Sequence, residues 1–233
     1  MVLAAGLGTR MRPLTDHRPK ALVEVAGRPL IDHVLDRLAA AGVETAVVNV
    51  HHFADQMKAH LAGRRRPRIL ISDERSGLLD SGGGIAKALP LLGPEPIFVA
   101  NIDTIWIEDE TPALETLARA WDPERMDICI LLAPRSKSTG FERPEGFLMD
   151  AEGRLTHSNS PDPLPPYNNI GVQILKPHLL AGHPPAFSIV PIWKRLSAEG
   201  RLHGAVMDGF DMHVSDPQTR DEVEARLLAE AEG

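Results

Sequence analysis

The sequence predicts an α/β fold: a mixed, mostly parallel sheet covered by helices on both faces, carrying a small antiparallel appendage. Three observations lead there. Up to about residue 133, short apolar runs alternate with segments of helical spacing, the alternation that builds parallel sheets buried on both faces. The first apolar run passes straight into a glycine-rich turn, as strands of open α/β sheets do where they bind ligands. Beyond about residue 134 the segments become short strands punctuated by proline and glycine, which suits antiparallel pairing. A chain of 233 residues fits one large domain, 1–233, better than two small ones. About 1–133 would be its core, and about 134–233 the appendage with the terminal helices.

The elements follow in order. Residues 2–5 are a short apolar run ending in glycines, a buried strand feeding a loop. Pro29 opens a helix over 30–41, where Leu30, Ile31, Val34, Leu35 and Leu38 share one face and Gly42 stands in the C-terminal capping place. Residues 45–50 read as a second strand, 54–61 as a helix and 68–72 as a third strand. A helix over 86–92 follows a glycine run, then come a strand over 97–101, a helix over 112–121 and a strand over 126–133. Short strands at 146–149, 155–158 and 169–175 make the appendage. Residues 191–199 return to helix. Asp216 and Pro217 open a terminal helix as N-cap and first residue.

Composition narrows the function classes. Apolar residues make up 43% and charged residues 24%, an ordinary globular balance. A net charge of −7 argues against nucleic acid or an anionic membrane as partner. The one basic run, 64–66 with Arg68, reads as a solvated loop. Cys129 is the only cysteine, which excludes an intrachain disulfide, and its apolar neighbours make it a buried strand thiol. No apolar stretch nears the roughly 20 residues that span a bilayer. The opening MVLAAGLGTR lacks the basic start and long apolar stretch of a signal peptide. The expectation is a cytoplasmic protein with no obligate protein partner.

Gly6 and Gly8 lie between strand and helix, where glycine allows positive φ and brings backbone N–H groups close to an anion. Two common phosphate loops are excluded. A dinucleotide fingerprint would need a small residue at Met11, and Gly-Lys-Ser/Thr occurs nowhere in the chain. What remains is longer: Leu3-Ala-Ala-Gly-Leu-Gly-Thr-Arg-Met-Arg-Pro-Leu-Thr15, then Pro19-Lys20-Ala-Leu-Val23, then Gly27-Arg-Pro-Leu30. This string resembles the signature of the sugar-phosphate nucleotidyltransferase family, and the likeness extends over essentially the whole chain.

The resemblance implies a Rossmann-like fold with a nucleotide-binding core and a sugar-binding appendage. It implies transfer of a nucleotidyl group from a nucleoside triphosphate to a sugar 1-phosphate, with release of pyrophosphate. Such chemistry builds charge on phosphoryl oxygens, so catalysis is mostly positioning and electrostatics. Arg10 offers a planar fork for phosphate oxygens and Lys20 a compact charge; in the resembled family the matching Arg meets the triphosphate tail and the matching Lys the transferring phosphate. The first loop implies nucleotide contacts at Leu3, Ala4, Ala5, Gly6, Gly8 and Thr9. A second comes from Asp80, Ser81, Gly82 and Gly83, where the family contacts the base. This version resembles the Glu-Thr-Gly-Gly-Gly-Ile of uridylyltransferases acting on N-acetylmuramate 1-phosphate, and favours UTP and a step in cell-wall sugar recycling.

Asn101-Ile102-Asp103 matches the family's Asn-Gly-Asp, and Asp103 at a strand's end is placed to hold Mg²⁺. The family's second metal ligand is an Asp in a pattern like Trp-Val-Asp-Val-Gly-Thr. Here, alignment on Val214 and Pro217 puts His213 in its place. Imidazole suits Mn²⁺ better than Mg²⁺, so Mn²⁺ is an alternative, and Asp211 is a second candidate two residues earlier. On the acceptor side the resemblance implies Glu142, Glu145, Asn168, Asn169 and Gly171. The Glu-Lys-Pro motif of several family members is missing, with 158–166 in its region. Alternatives are a mannose-1-phosphate guanylyltransferase, a phosphocholine cytidylyltransferase and a non-catalytic nucleotide-sugar binding protein. Retention of Arg10, Lys20 and Asp103 counts against the last.

Overall fold

The computed structural model describes residues 1–140 and 144–232. In chain order the first half gives β1 (Val2–Leu3), β2 (Glu24–Val25), β3 (Arg28–Pro29), α1 (Leu30–Ala40), β4 (Thr45–Val50), α2 (Ala54–Leu61), β5 (Arg68–Asp73), α3 (Asp80–Leu92) and β6 (Ile97–Asn101). Then come β7 (Thr104–Glu108), α4 (Ala113–Ala120), β8 (Ile128–Pro134), β9 (Ser138–Thr139), β10 (Gly146–Met149), β11 (Leu155–Ser158) and β12 (Tyr167–Leu175). The chain closes with α5 (Val190–Ala198), β13 (Leu202–Val206), β14 (Gly209–His213) and α6 (Pro217–Glu232).

Nine of these strands form one sheet. β6, β1, β4 and β5 run parallel side by side. β12 enters antiparallel beside β6 and pairs on its other edge with β8, which is parallel to β13. The hairpin of β10 and β11 joins the start of β12, so the expected antiparallel appendage is an extension of the main sheet. The apolar runs are nearly continuous because both faces of the sheet are buried. In β8, Cys129, Leu131 and Ala133 face one hydrophobic layer while Ile128, Ile130 and Leu132 face the other. α1, α2 and α4 cover the first face with Leu30, Val34, Met57 and Leu117. α3 and α5 cover the second with Ile85, Ala88, Ile192 and Leu196.

Three features depart from the sequence reading. A separate three-stranded sheet, β7-β14-β9, is built from segments the periodicity did not mark as strands. β13 was likewise unread. The third departure matters for function: α3 begins at Asp80, so Gly82, Gly83 and Gly84 are buried helix residues and not a loop before a helix. A Cβ at Gly82 would overlap the Phe187 ring, and one at Gly83 the Pro185 carbonyl oxygen. The glycine run therefore lets the segment before α5 lie against the helix backbone. Gly83 N donates to Phe187 O at 3.0 Å, and Phe187 N to Leu79 O at 3.1 Å.

The terminal helix starts as read. Asp216 Oδ1 accepts from Thr219 N at 2.8 Å, an N-cap one turn long. Among the described residues no helix is long and apolar enough to cross a membrane.

Candidate active site

From β1 the chain first builds β4 and β5 on one edge, then returns to place β6 on the other. That reversal opens a crevice at the carboxyl ends of β1 and β6, where open α/β sheets bind ligands. A cavity of about 760 Å³ lies there, with Leu3 and Asn101 at the two strand ends in its wall. β12 supplies Asn169, Gly171 and Gln173 to the same wall. Its register slips between Asn169 and Gln173, and Gly171 at φ +80° leaves room for the Asn101 side chain, which a Cβ would approach to 3.0 Å.

The charged centre is a pair drawn from distant parts of the chain. Lys20 Nζ donates to Asp103 Oδ2 at 2.9 Å, and both side chains are mostly buried. Burial pushes the Asp103 carboxyl up, but the Lys20 charge and then His213 outweigh it and hold it below the usual carboxylate range. The β7–β14 ladder brings His213 opposite Thr104, next to Asp103, and Val214 N donates to Asp103 O at 2.8 Å. Asp103 and His213 both line the cavity.

A divalent cation fits this pair in one respect that can be read directly. Asp103 Oδ1 is buried and has no hydrogen-bond partner among the described residues, an oxygen left over for a ligand once Lys20 has taken the other. Among the described residues no three His, Cys, Asp or Glu side chains gather at metal-ligating range. Mg²⁺ commonly binds through one or two carboxylates, with substrate phosphates and water completing the shell. Asp103 together with the substrate's phosphates would therefore suffice, and His213 would add a nitrogen donor that Mg²⁺ does not require. Asp211 is different. It is 1% exposed and does not line the cavity. Burial foremost, with the charge of Asp103, pushes its carboxyl up to about 7.

Arg10 lines the cavity from the short turn Thr9–Met11, facing Ser215, Asp216 and Thr219 at the start of α6. Ser81 lines it from the first turn of α3 and also fixes α5, since Ile189 N donates to Ser81 Oγ at 3.1 Å. Ala4 and Ala5 are buried behind the first loop, and Ala4 N is held by Asn49 Oδ1 at 2.6 Å. Gly6 and Thr9 are exposed at the loop's rim, and Gly8 packs against Lys20 and Thr15. Asp80 is exposed at φ +61°. Gly82 and Gly83 are occupied by packing against 185–187 and do not line the cavity.

On the acceptor side Glu145, Asn169 and Gly171 join the wall, while Glu142 lies outside the described residues. Asn168 does not join them. Alternation along β12 turns it away from Asn169 into the core, where it is fully buried with both amide atoms unpartnered. The sequence reading missed Phe147, His157, Gln173 and Trp193, which close the far end of the cavity. Trp193 sits among the apolar positions of α5 and His157 in a four-residue strand. Nothing local separates either from an ordinary packing residue.

Comparison with known proteins gives the family. The chain is 56% identical over 232 residues to N-acetylmuramate alpha-1-phosphate uridylyltransferase of Caulobacter vibrioides, covering 97% of this chain and 96% of that one. The protein of the same name from Neisseria meningitidis is 46% identical over 118 residues, half of each chain. The crystal structure of a UDP-glucose pyrophosphorylase complexed with UDP-glucose superposes with a TM-score of 0.82 at 16% identity, over 98% of this chain and 97% of that one. That last likeness speaks for the fold. The family model for the MobA-like NTP transferase domain matches residues 1–199, and with it the chain belongs to the sugar-phosphate nucleotidyltransferases of that family.

Proposed function

We propose that this chain transfers the uridylyl group of UTP to N-acetylmuramate 1-phosphate in the cytoplasm, giving UDP-N-acetylmuramate and pyrophosphate, and so returns a cell-wall sugar to use. The observation that carries the chemistry is the Lys20–Asp103 pair with one carboxylate oxygen left over, Asp103 lying in the wall of the switch-point crevice. The choice of substrates rests on the 56% identity to the Caulobacter vibrioides relative along nearly its whole length.

The acceptor's phosphate oxygen is already anionic at neutral pH, so attack on the α-phosphorus requires no general base. A new P–O bond forms as the bond to the β-phosphoryl oxygen breaks, and the electron pair leaves on pyrophosphate. Arg10 and Lys20 meet the charge that develops on these oxygens, the kind of preorganised electrostatic contact that dominates phosphoryl transfer. Asp103 and His213 would hold Mg²⁺, with Mn²⁺ an alternative that imidazole favours. Bound there, the cation would neutralise phosphate charge. Six further residues line the cavity; in this reading Leu3, Asn101 and Ser81 would meet the nucleotide, and Glu145, Asn169 and Gly171 the acceptor.

Pyrophosphate release measured for UTP, GTP, CTP and dTTP, each with a panel of sugar 1-phosphates, tests the proposal. UTP with N-acetylmuramate 1-phosphate should give the highest kcat/KM. A tenfold or greater preference for GTP would move the enzyme to the mannose-phosphate branch, and no turnover with any pair would leave a nucleotide-sugar binding protein.

A further inference from the structure

The far end of the cavity holds a group whose orientation can be deduced. Gln173 is 7% exposed and lines the cavity from β12. Its Oε1 accepts from Trp193 Nε1 at 2.9 Å. Indole N–H is a donor only, so the carboxamide must turn its oxygen to Trp193. The usual ambiguity between amide oxygen and nitrogen is thereby removed. The NH₂ group is left over, with two donors and no partner among the described residues, in a cavity wall.

Around it the wall is aromatic. Phe147 meets Trp193 edge-on, with centroids 5.9 Å apart, and His157 edge-on at 5.4 Å. Burial first, then the charge of Lys194, lowers the His157 imidazole's proton affinity, against an opposing pull from Glu145. Among the described residues Phe147, His157, Gln173 and Trp193 at this end, Gln173 offers a neutral donor among rings and none carries a permanent positive charge, with Lys194 acting from outside the lining. An anionic substituent would be poorly compensated there. A neutral carbonyl with a small apolar group attached fits both features: its oxygen satisfies the NH₂, and its methyl lies against the rings.

We infer that Gln173, held by Trp193, recognises the acylamino group of the acceptor sugar and selects N-acylated sugar 1-phosphates over unsubstituted hexose 1-phosphates. This rests on the proposed transfer to a sugar 1-phosphate and names the part of the acceptor that the recess reads. A site built to hydrogen-bond one polar substituent rejects the analogue lacking it, because the donor that the bound sugar covers is then left unpaired.

The test compares N-acetylglucosamine 1-phosphate with glucose 1-phosphate at saturating UTP, in the unmodified enzyme and in Gln173→Glu and Gln173→Met. Glu keeps an acceptor for Trp193 and replaces the donor with a carboxylate; Met fills the same volume with neither. In the unmodified protein the ratio of kcat/KM should favour the acetylated acceptor. In both variants that ratio should fall by at least roughly tenfold, with KM for the acceptor moving more than KM for UTP. Equal losses on both acceptors in the folded variants would reduce Gln173 to a packing residue. A ratio near one in the unmodified enzyme would also overturn the inference, and needs no variant to fold. If the unmodified enzyme transfers to neither sugar nor to N-acetylmuramate 1-phosphate, the proposed function itself fails, whereas transfer with an unaltered ratio removes only this inference.

Discussion

Lys20 and Asp103 neutralise each other at 2.9 Å in a setting that is mostly shielded from water, so each is the other's partner until phosphate arrives. Removing either should disable turnover before it disables folding. Lys20→Ala and Asp103→Asn are each expected to lower kcat at least ~100-fold, the scale of losing one preorganised electrostatic contact, while circular dichroism stays native. Near-normal turnover in either variant would take that residue out of the reaction. His213 brings no negative charge to the site, unlike the carboxylate it replaces in the resembled pattern. His213→Asp should therefore lower the free Mg²⁺ needed for half-maximal activity, and His213→Ala should raise it. Titrations of activity against Mg²⁺ that superimpose for all three proteins would make His213 a bystander. These side chains were legible in the sequence because the strings around them are long and tied to phosphate chemistry. Asn168 was misread because the string Asn168-Asn169 does not say which of two neighbours a strand turns inward, a matter of alternation that only the register with β8 decides.

The elements that the sequence disclosed are those whose period is written locally: α1 with its apolar stripe, β4 and β8 with their continuous apolar runs. β7 and β14 stayed hidden because each becomes a strand only by pairing with the other, about a hundred residues away. The glycine run was read as a ligand loop, since local rules cannot distinguish a backbone bared for an anion from one bared for a neighbouring segment. The two differ in what a methyl group would strike. Gly83→Ala should place a Cβ on the Pro185 carbonyl oxygen, a backbone clash that cannot rotate away. The expected cost is roughly 1–3 kcal/mol of folding stability, typical of overpacking, visible as a lower Tm. An unchanged Tm would mean that the 183–187 segment yields freely.

At the scale of the whole molecule, Asp127 pins three strand ends. It accepts from Lys176 Nζ and Arg201 Nη2, both at 2.7 Å, joining the start of β8 to the end of β12 and the approach to β13. Arg201 foremost, helped by Lys176 and opposed by burial, holds its carboxyl down to about 2. A carboxyl lowered in the folded state adds stability above its unfolded value, near 3.9, and loses it as pH falls towards the folded one. The difference in unfolding free energy between the unmodified protein and Asp127→Asn should be about 1–2 kcal/mol above pH 5 and should shrink towards pH 2. A difference independent of pH would show that the amide keeps whatever the clamp provides. The contact of α3 with residues 185–187 couples two parts of the chain about a hundred residues apart. Gly82 and Gly83 are tied to the segment lying on them, because a side chain at either strikes residues 185–187, whereas a side chain at Gly84 would strike Asn49 and Glu74 instead.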